Sequence, residues 1–160
     1  MLDSPLTHVA ELDLTVLVRQ LGLDDAGLAA RLIDSLPDPL RYSRFDRTMT
    51  PAMIHAHYEA LDWNTVIVLA ASEEGDTVGL AEVYPYRAAD YLETEIVLTL
   101  APGSYSIGRP LMARALSHAA AAGAWRSVML FCPPDPALLR IARSLDGRFD
   151  AGEGSIVFNL

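Results

Sequence analysis

The sequence contains no lysine, and all 12 of its basic side chains are arginine. The absence of lysine excludes enzymes that form a Schiff base on a lysine amine and enzymes that hold a phosphate with a P-loop lysine. The single cysteine, Cys132, excludes an internal disulfide, and only His55 and His57 form a close histidine pair. Because the chain lacks the ligands that zinc prefers, we expect no metal site.

Long apolar runs are also missing. No segment approaches the roughly 18 consecutive apolar residues of a membrane span. The first ten residues lack the basic region and apolar stretch of a secretory signal, so we expect a cytoplasmic protein without membrane contact. The formal net charge of −9 has the wrong sign for binding phosphate backbones, and nucleic acid is not an expected partner. With 160 residues, 51% of them hydrophobic, the chain is predicted to form one globular domain, residues 1–160.

The apolar patterns predict an α/β protein. Two helices are expected after the first strand, and the second of these has Thr50 as its N-cap and Pro51 in its first turn. A turn at residues 74–76 predicts an antiparallel hairpin. The predicted strands are Leu14–Leu21, Val66–Leu69, Val78–Val83, Leu92–Leu100, Ser127–Phe131 and Ser155–Asn159, and the predicted helices begin after Asp24-Asp25, at Pro51, at Pro110 and near Leu138.

The segment Leu100–Gly108 joins a strand to a helix and is rich in glycine and serine. Free backbone N–H groups and the positive end of the helix dipole converge at such a place, which favours anion binding. Taken alone, this pattern is also typical of a simple turn. The surrounding order of elements gives it a more specific interpretation.

That order resembles the GNAT superfamily of acyl-CoA-dependent acyltransferases over nearly the whole chain. Three stretches look most like the GNAT domains that accompany acyl-CoA ligases in bacterial protein acetyltransferases: Val18–Asp25, Leu36–Phe45 and Leu92–Leu98. The resemblance implies an α/β fold, α+β in some schemes, with a central mixed and mostly antiparallel sheet flanked by helices. It also implies acetyl-CoA as co-substrate.

In this superfamily a loop of the form Gln/Arg-x-x-Gly-x-Gly holds the CoA pyrophosphate, and the resemblance matches it to residues 103–108. Gly103 replaces the Gln or Arg, Ser106 replaces the first glycine, and Gly108 keeps the second. A positive φ at Ser106 would strain the backbone. Arg109 offers a positive charge in place of the missing side chain. The residues that the resemblance assigns to the cofactor are Leu98, whose N–H would meet the thioester carbonyl, Gly103, Ser104, Tyr105, Ser106, Ile107, Gly108 and Arg109.

Acyl transfer to an amine requires a base, since only the neutral amine attacks a thioester. The resemblance assigns this role to Glu93, with a pKa raised by partial burial. Glu82 on the neighbouring strand is a second candidate, for binding a cationic substrate. The tyrosine that often protonates the thiolate has Ala142 in its place, and Asp135 is interpreted as a helix N-cap.

The resulting hypothesis is an N-acetyltransferase that moves acetyl from acetyl-CoA to a primary amine, either a small amine or a protein lysine, by direct attack. Superfamily members often pair, but no stripe in this sequence specifies a homodimer. The alternative is a catalytically degenerate GNAT-like domain that binds a ligand or regulates a partner. A serine hydrolase is excluded because His118, the only histidine after Ser106, lies on the same short helix and cannot complete a triad.

Overall fold

A computed structural model describes residues 16–130 and 135–160. The described residues form one sheet of seven strands and five α-helices, and a 3-10 turn precedes each of two helices. In chain order the elements are β1 (Val16–Gln20), a 3-10 turn (Leu23–Asp25), α1 (Ala26–Ser35), α2 (Asp38–Phe45), α3 (Pro51–Glu59), β2 (Ile67–Glu73), β3 (Asp76–Ala88), β4 (Tyr91–Leu100), a second 3-10 turn (Tyr105–Ile107), α4 (Gly108–Ala121), β5 (Arg126–Leu130), α5 (Pro136–Arg143), β6 (Arg148–Asp150) and β7 (Ser155–Asn159).

The strands lie in the order β1-β2-β3-β4-β5-β7-β6. Only the β4–β5 pair is parallel among the described strands. This mixed, mostly antiparallel sheet with flanking helices confirms the predicted fold class. None of the described helices has the length and apolar character that a membrane crossing requires.

Several predicted elements are confirmed in detail. The β2–β3 hairpin turns at residues 74–75, and β7 has the predicted bounds. Thr50 caps α3, since its side chain accepts a hydrogen bond from the Met53 amide at 3.2 Å. The parts of the predictions that fall on Leu14, Thr15 and residues 131–134 lie outside the described residues.

Two elements correct the prediction. Three α-helices, not two, follow β1, because residues 37–39 start α2 instead of ending the helical region. Pro37 is the N-cap of α2 and Pro39 lies in its first turn, where the missing amide would have had no partner in any case. The short strand β6 was also missed, and all three of its residues are exposed.

Each face of the sheet carries a hydrophobic core. One core packs α1 and α3 against the sheet, and the other packs α4 and α5 against the opposite face. Two glycines let α4 approach closely. A Cβ on Gly79 of β3 would meet Ile107 Cδ1 at 2.8 Å, and a Cβ on Gly108 would meet Ile141 Cδ1 at 2.4 Å. The first turn of α4 is thereby fixed beside the end of β4.

Candidate active site

The parallel strands β4 and β5 pair over three residues and then separate. The paired positions are Glu93 with Arg126, Thr94 with Ser127 and Glu95 with Val128. Beyond these three pairs, β4 and β5 both continue but no longer pair with each other. The gap opens into a cleft of about 660 Å³. The residues that line it come from α2 and its flanks, β4, β5, the second 3-10 turn and α5: Leu36, Pro39, Leu40, Ser43, Arg44, Phe45, Asp46, residues 95–100, Tyr105, Met129, Leu130, Asp135 and Leu138.

The main chain of β4 presents donors to this gap. The Leu92 carbonyl accepts from the Trp125 amide at 3.1 Å, so Leu92 turns its polar groups toward β5. Every second residue of a strand does the same, which directs the N–H of Leu98 into the gap. Ala101 points the opposite way and donates to Val78 of β3 at 2.8 Å. Leu98 lies beyond the last β4–β5 pair, so its N–H meets no registered β5 residue in the described chain.

The loop before α4 lies at one end of the cleft, where Tyr105 contributes to the lining. Within the turn, Ile107 donates its amide to Ser104 and Gly108 donates to Tyr105. The amides of Tyr105 and Ser106 have no acceptor in the described part of the chain, and no side chain there caps the turn or α4. These N–H groups and the dipole of a 14-residue helix make this end of the cleft suited to an anion.

The loop residues that the resemblance assigns to the cofactor differ from one another in exposure and in backbone conformation. Ser106 is exposed and is not among the residues with positive φ, so the anticipated strain is absent. Gly103 has φ of +84°, a backbone conformation that suits glycine. Ile107 is fully buried in the core and Ser104 is buried as well, so neither side chain reaches the cleft lining. Arg109 is exposed in the first turn of α4.

Gly108 and Asp135 have clear local roles. The Cβ that Gly108 lacks would collide with side chains of the core, which gives this glycine a packing function at the start of α4. Asp135 accepts a hydrogen bond from the Ala137 amide at 2.8 Å, as predicted for the N-cap of α5. Asp135 also lines the cleft.

Glu93 lies on the closed part of the β4–β5 seam and is only 3% exposed. Tyr86 donates to its carboxylate at 2.8 Å, Trp125 donates through Nε1 at 3.2 Å, and Nε of Arg126 forms an ion pair with it at 2.9 Å. Burial raises the pKa of Glu93, but these three partners together lower it below the ordinary value. The prediction of a raised pKa is therefore wrong. Glu93 is not among the residues that line the cleft.

Glu95 is the carboxylate at the point where the strands separate. It lies on the same face of β4 as Glu93, is half-buried, and lines the cleft. No side chain of the described residues forms an ion pair or hydrogen bond with it, so its carboxylate is free to meet a ligand. The alternation of side chains along a strand places both glutamates on one face of β4 but does not say which of them stands at the opening.

Glu82 was a candidate for binding a cationic substrate, but it is fully buried and does not line the cleft. Arg44 of α2 donates to one carboxylate oxygen through Nε at 3.1 Å and Nη2 at 2.5 Å, and Tyr84 donates to the other at 3.0 Å. This buried pair anchors α2 to β3, and burial together with Glu82 raises the pKa of Tyr84 above its ordinary range. Arg44, which sequence reasoning did not single out, is the residue of this pair that reaches the cleft.

The environment of Tyr86 supports the same division between a closed seam and an open cleft. Burial and the hydrogen bond to Glu93 raise the pKa of Tyr86 to about 12.

No group of three histidine, cysteine or acidic residues that could hold a metal ion occurs within residues 16–130 and 135–160. The open cleft therefore offers main-chain donors, one unpaired carboxylate at the point of strand separation and an arginine edge.

Solved structures with the same architecture are GNAT acetyltransferases. The GNAT domain of PAT from S. lividans is 19% identical with a TM-score of 0.68, and the match covers 89% of each chain. The yncA protein from Salmonella typhimurium, solved with acetyl-CoA, is 20% identical with a TM-score of 0.66, covering 91% of this chain and 94% of that one. PaiA N-acetyltransferase from Thermoplasma acidophilum, solved with coenzyme A, is 13% identical with a TM-score of 0.63, covering 91% and 99%.

These likenesses define the class of fold. The chain has the GNAT fold, with the loop between a strand and a helix, before α4, that the resemblance predicted. Neither any protein-family model nor any curated protein matches the sequence.

Proposed function

We propose that this protein is an acyl-CoA-dependent N-acetyltransferase that transfers an acetyl group from acetyl-CoA to a primary amine. The observation that carries the proposal is the separation of β4 and β5 into a cleft with the uncapped start of α4 at one end. The solved structures with acetyl-CoA or coenzyme A bound support this use of the fold. The proposed acceptor is either a small amine or a protein lysine.

Cofactor binding rests mainly on the backbone. The free amides of Tyr105 and Ser106, with the dipole of α4, would hold the diphosphate of acetyl-CoA, and Arg109 would add a positive charge nearby. The N–H of Leu98 would donate to the thioester carbonyl and stabilise the negative charge that develops there. Because these contacts use main-chain donors, the replacement of the usual Gln or Arg by Gly103 does not remove the site.

The chemistry is an aminolysis of the thioester. We assign the base to Glu95, which takes the proton from the acceptor ammonium directly or through one water. The neutral nitrogen then attacks the carbonyl carbon and loses its second proton to water, the C–S bond breaks, and an amide and the CoA thiolate leave. Ala142 is buried in the core at the place where a tyrosine acid was expected, so the thiolate takes its proton from water. The role of Glu93 as the base stays a separate prediction.

Thermal unfolding with two thioesters tests this proposal. At 100 times its dissociation constant a ligand adds about 2.7 kcal/mol of stability, so acetyl-CoA should raise the Tm clearly. S-acetylpantetheine, which lacks the diphosphate, should raise it much less if the amides before α4 bind that group. Thiol release with a panel of primary amines then measures transfer. The absence of any shift with acetyl-CoA would favour the alternative, a degenerate domain that binds another ligand or regulates a partner.

A further inference from the structure

Arg44 lines the cleft, and one nitrogen of its guanidinium has no hydrogen-bond partner among the described residues. Its side chain is 10% exposed, and Nε and Nη2 are directed at Glu82. Nη1 has no hydrogen-bond partner among the described residues. It is not one of the buried side-chain atoms that lack a partner, so it retains exposed surface. A guanidinium carries five N–H donors, so this edge retains hydrogen-bonding capacity after Glu82 is satisfied. It lies in the same cleft as the unpaired carboxylate of Glu95.

We propose that the acceptor is an α-aminoacyl compound with an apolar side chain, whose amine meets Glu95 and whose carbonyl oxygen accepts a hydrogen bond from Nη1 of Arg44. This inference rests on the proposed function and names the acceptor class of that site. It goes beyond a generic primary amine because it requires an oxygen acceptor beside the reacting nitrogen.

The register brings the two groups to the same face of the sheet. Glu82, which holds Arg44, stands opposite Val97 in the β3–β4 register, so Glu95 is its diagonal neighbour on that face. Diagonal neighbours in a sheet lie close enough for long side chains to reach each other's surroundings. Arg44 and Glu95 form no ion pair with each other, which leaves both available.

The wall next to Arg44 is apolar. Four residues of α2 and its N-terminal flank line the cleft with hydrophobic side chains: Leu36, Pro39, Leu40 and Phe45. An acceptor that places a hydrocarbon side chain against this wall removes apolar surface from water on both partners. A polycation would gain nothing from the same surface.

Charge decides between a carbonyl and a free carboxylate. Arg44 is the only cationic side chain among the described residues of the lining, and Glu82 already neutralises it. Asp46, Glu95 and Asp135 add negative charge to the same lining. The carboxylate of a free amino acid would be repelled by these charges and by Glu82, whereas a neutral carbonyl accepts the hydrogen bond without this repulsion. The structure therefore favours an amino-acid amide over a free amino acid.

The test compares three acceptors that share one side chain, using wild-type protein, acetyl-CoA and thiol release. Leucinamide has the carbonyl, leucine has a carboxylate, and isoamylamine has neither. Because an α-amino group titrates at about pH 8 and an alkylamine at about pH 10.4, the kcat/KM values are compared per neutral amine. On that scale we expect leucinamide to exceed isoamylamine by about tenfold or more, the size of one charge-assisted hydrogen bond. Leucine should fall below leucinamide.

Each other outcome has a defined meaning. Equal kcat/KM per neutral amine for leucinamide and isoamylamine overturns this inference and leaves the proposed function standing. A preference for leucine over both overturns the assignment of a carbonyl. If no amine in the panel, including spermidine and lysine, releases thiol although acetyl-CoA raises the Tm, the proposed function fails and this inference fails with it.

Arg44→Lys gives a second measurement, with Arg47→Lys as the matched control. Arg47 is exposed and does not line the cleft. Arg44→Lys keeps a charge for Glu82 but loses the second edge, so kcat/KM for leucinamide should fall by about tenfold more than kcat/KM for isoamylamine. An equal loss with both acceptors would show a structural role only and overturn the contact. If the variant does not fold, the wild-type comparison still decides the proposal.

Discussion

Glu93 and Glu95 lie two residues apart on the same face of β4, but only Glu95 stands at the opening of the cleft. Glu93 pairs with Arg126 where β4 and β5 are still joined, and Glu95 forms the last pair before they separate. Three partners hold the first carboxylate, and no described side chain holds the second. A shift of two residues along β4 thus separates a structural carboxylate from one that can meet a substrate.

The paired variants Glu95→Gln and Glu93→Gln test which carboxylate is the base. We expect Glu95→Gln to lower kcat by about 10²–10⁴-fold, the usual contribution of a general base, and to leave the acetyl-CoA thermal shift intact. Glu93→Gln should keep most of the activity. Steady-state thiol release with one amine measures both. The opposite pattern, with activity lost only in Glu93→Gln, would return the role of base to Glu93.

Glu93 should instead be important for stability in acid. Since the folded state lowers its pKa, the charged carboxylate stabilises the protein above the ordinary value of 4.5, and this contribution is lost as the pH falls through the lower, folded-state pKa. Glu93→Gln should reduce the free energy of unfolding by about 1–3 kcal/mol near neutral pH. The difference from wild type should shrink below pH 4.5. Urea unfolding at several pH values measures it, and a difference that is constant with pH would contradict the assignment.

His57 predicts a second pH effect, in a higher range. Burial lowers its pKa from the ordinary 6.5, and the charges of Arg44 and Arg47 lower it further, against the opposing charge of Glu82. Its Nε2 is buried without a partner in the described residues. The unfolded chain therefore binds a proton more readily, and stability should fall as the pH drops below 6.5.

The variant His57→Gln should flatten this slope between about pH 6.5 and pH 5, because glutamine does not titrate there. Unfolding free energies from urea titrations give the measurement. The control is the same pair of proteins at about pH 8, where His57 is neutral in both states. A slope that persists unchanged in the variant would assign the pH dependence to other groups.

Local sequence patterns predicted most of the fold but not all of it. Strands such as β7 and the cap of α3 by Thr50 depend on short-range patterns that the sequence displays. The helix α2 was not predicted because Pro37 and Pro39 were interpreted as the end of a helix. Proline is equally suited to the start of a helix, which is its position here. The strand β6 has only three exposed residues, so no hydrophobic alternation marks it.

The site was harder to predict than the fold, for a physical reason. Alternation along β4 places Glu93 and Glu95 on one face, but the register of β5 against β4 decides which of them is covered. That register is set by contacts between residues more than 30 positions apart, which no short motif encodes. Arg44 was missed in the same way, because its partner Glu82 is 38 positions distant.

Gly108 offers the sharpest test of how the start of α4 is built. The resemblance matches Gly108 to the last glycine of the pyrophosphate loop, whereas here a Cβ at this position would meet Ile141 Cδ1 at 2.4 Å and Leu100 Cδ1 at 2.9 Å. Gly108→Ala should therefore destabilise the protein by about 1 kcal/mol even without ligand, because overpacking costs about 1–3 kcal/mol and alanine regains about 0.5–1 kcal/mol over glycine in a helix. Urea unfolding measures this loss directly.

The double variant Gly108→Ala/Ile141→Val separates packing from phosphate contact. Valine lacks the Cδ1 atom that lies nearest to the new methyl group, so the double variant should be less destabilised than the sum of the two single variants. Ile141→Val alone should lose about 0.5–1.5 kcal/mol. If packing is the reason for the glycine, the relief should also restore the acetyl-CoA thermal shift. A double variant that regains stability but not the shift would show that the methyl group blocks the diphosphate itself, and strictly additive losses of stability would contradict the packing explanation.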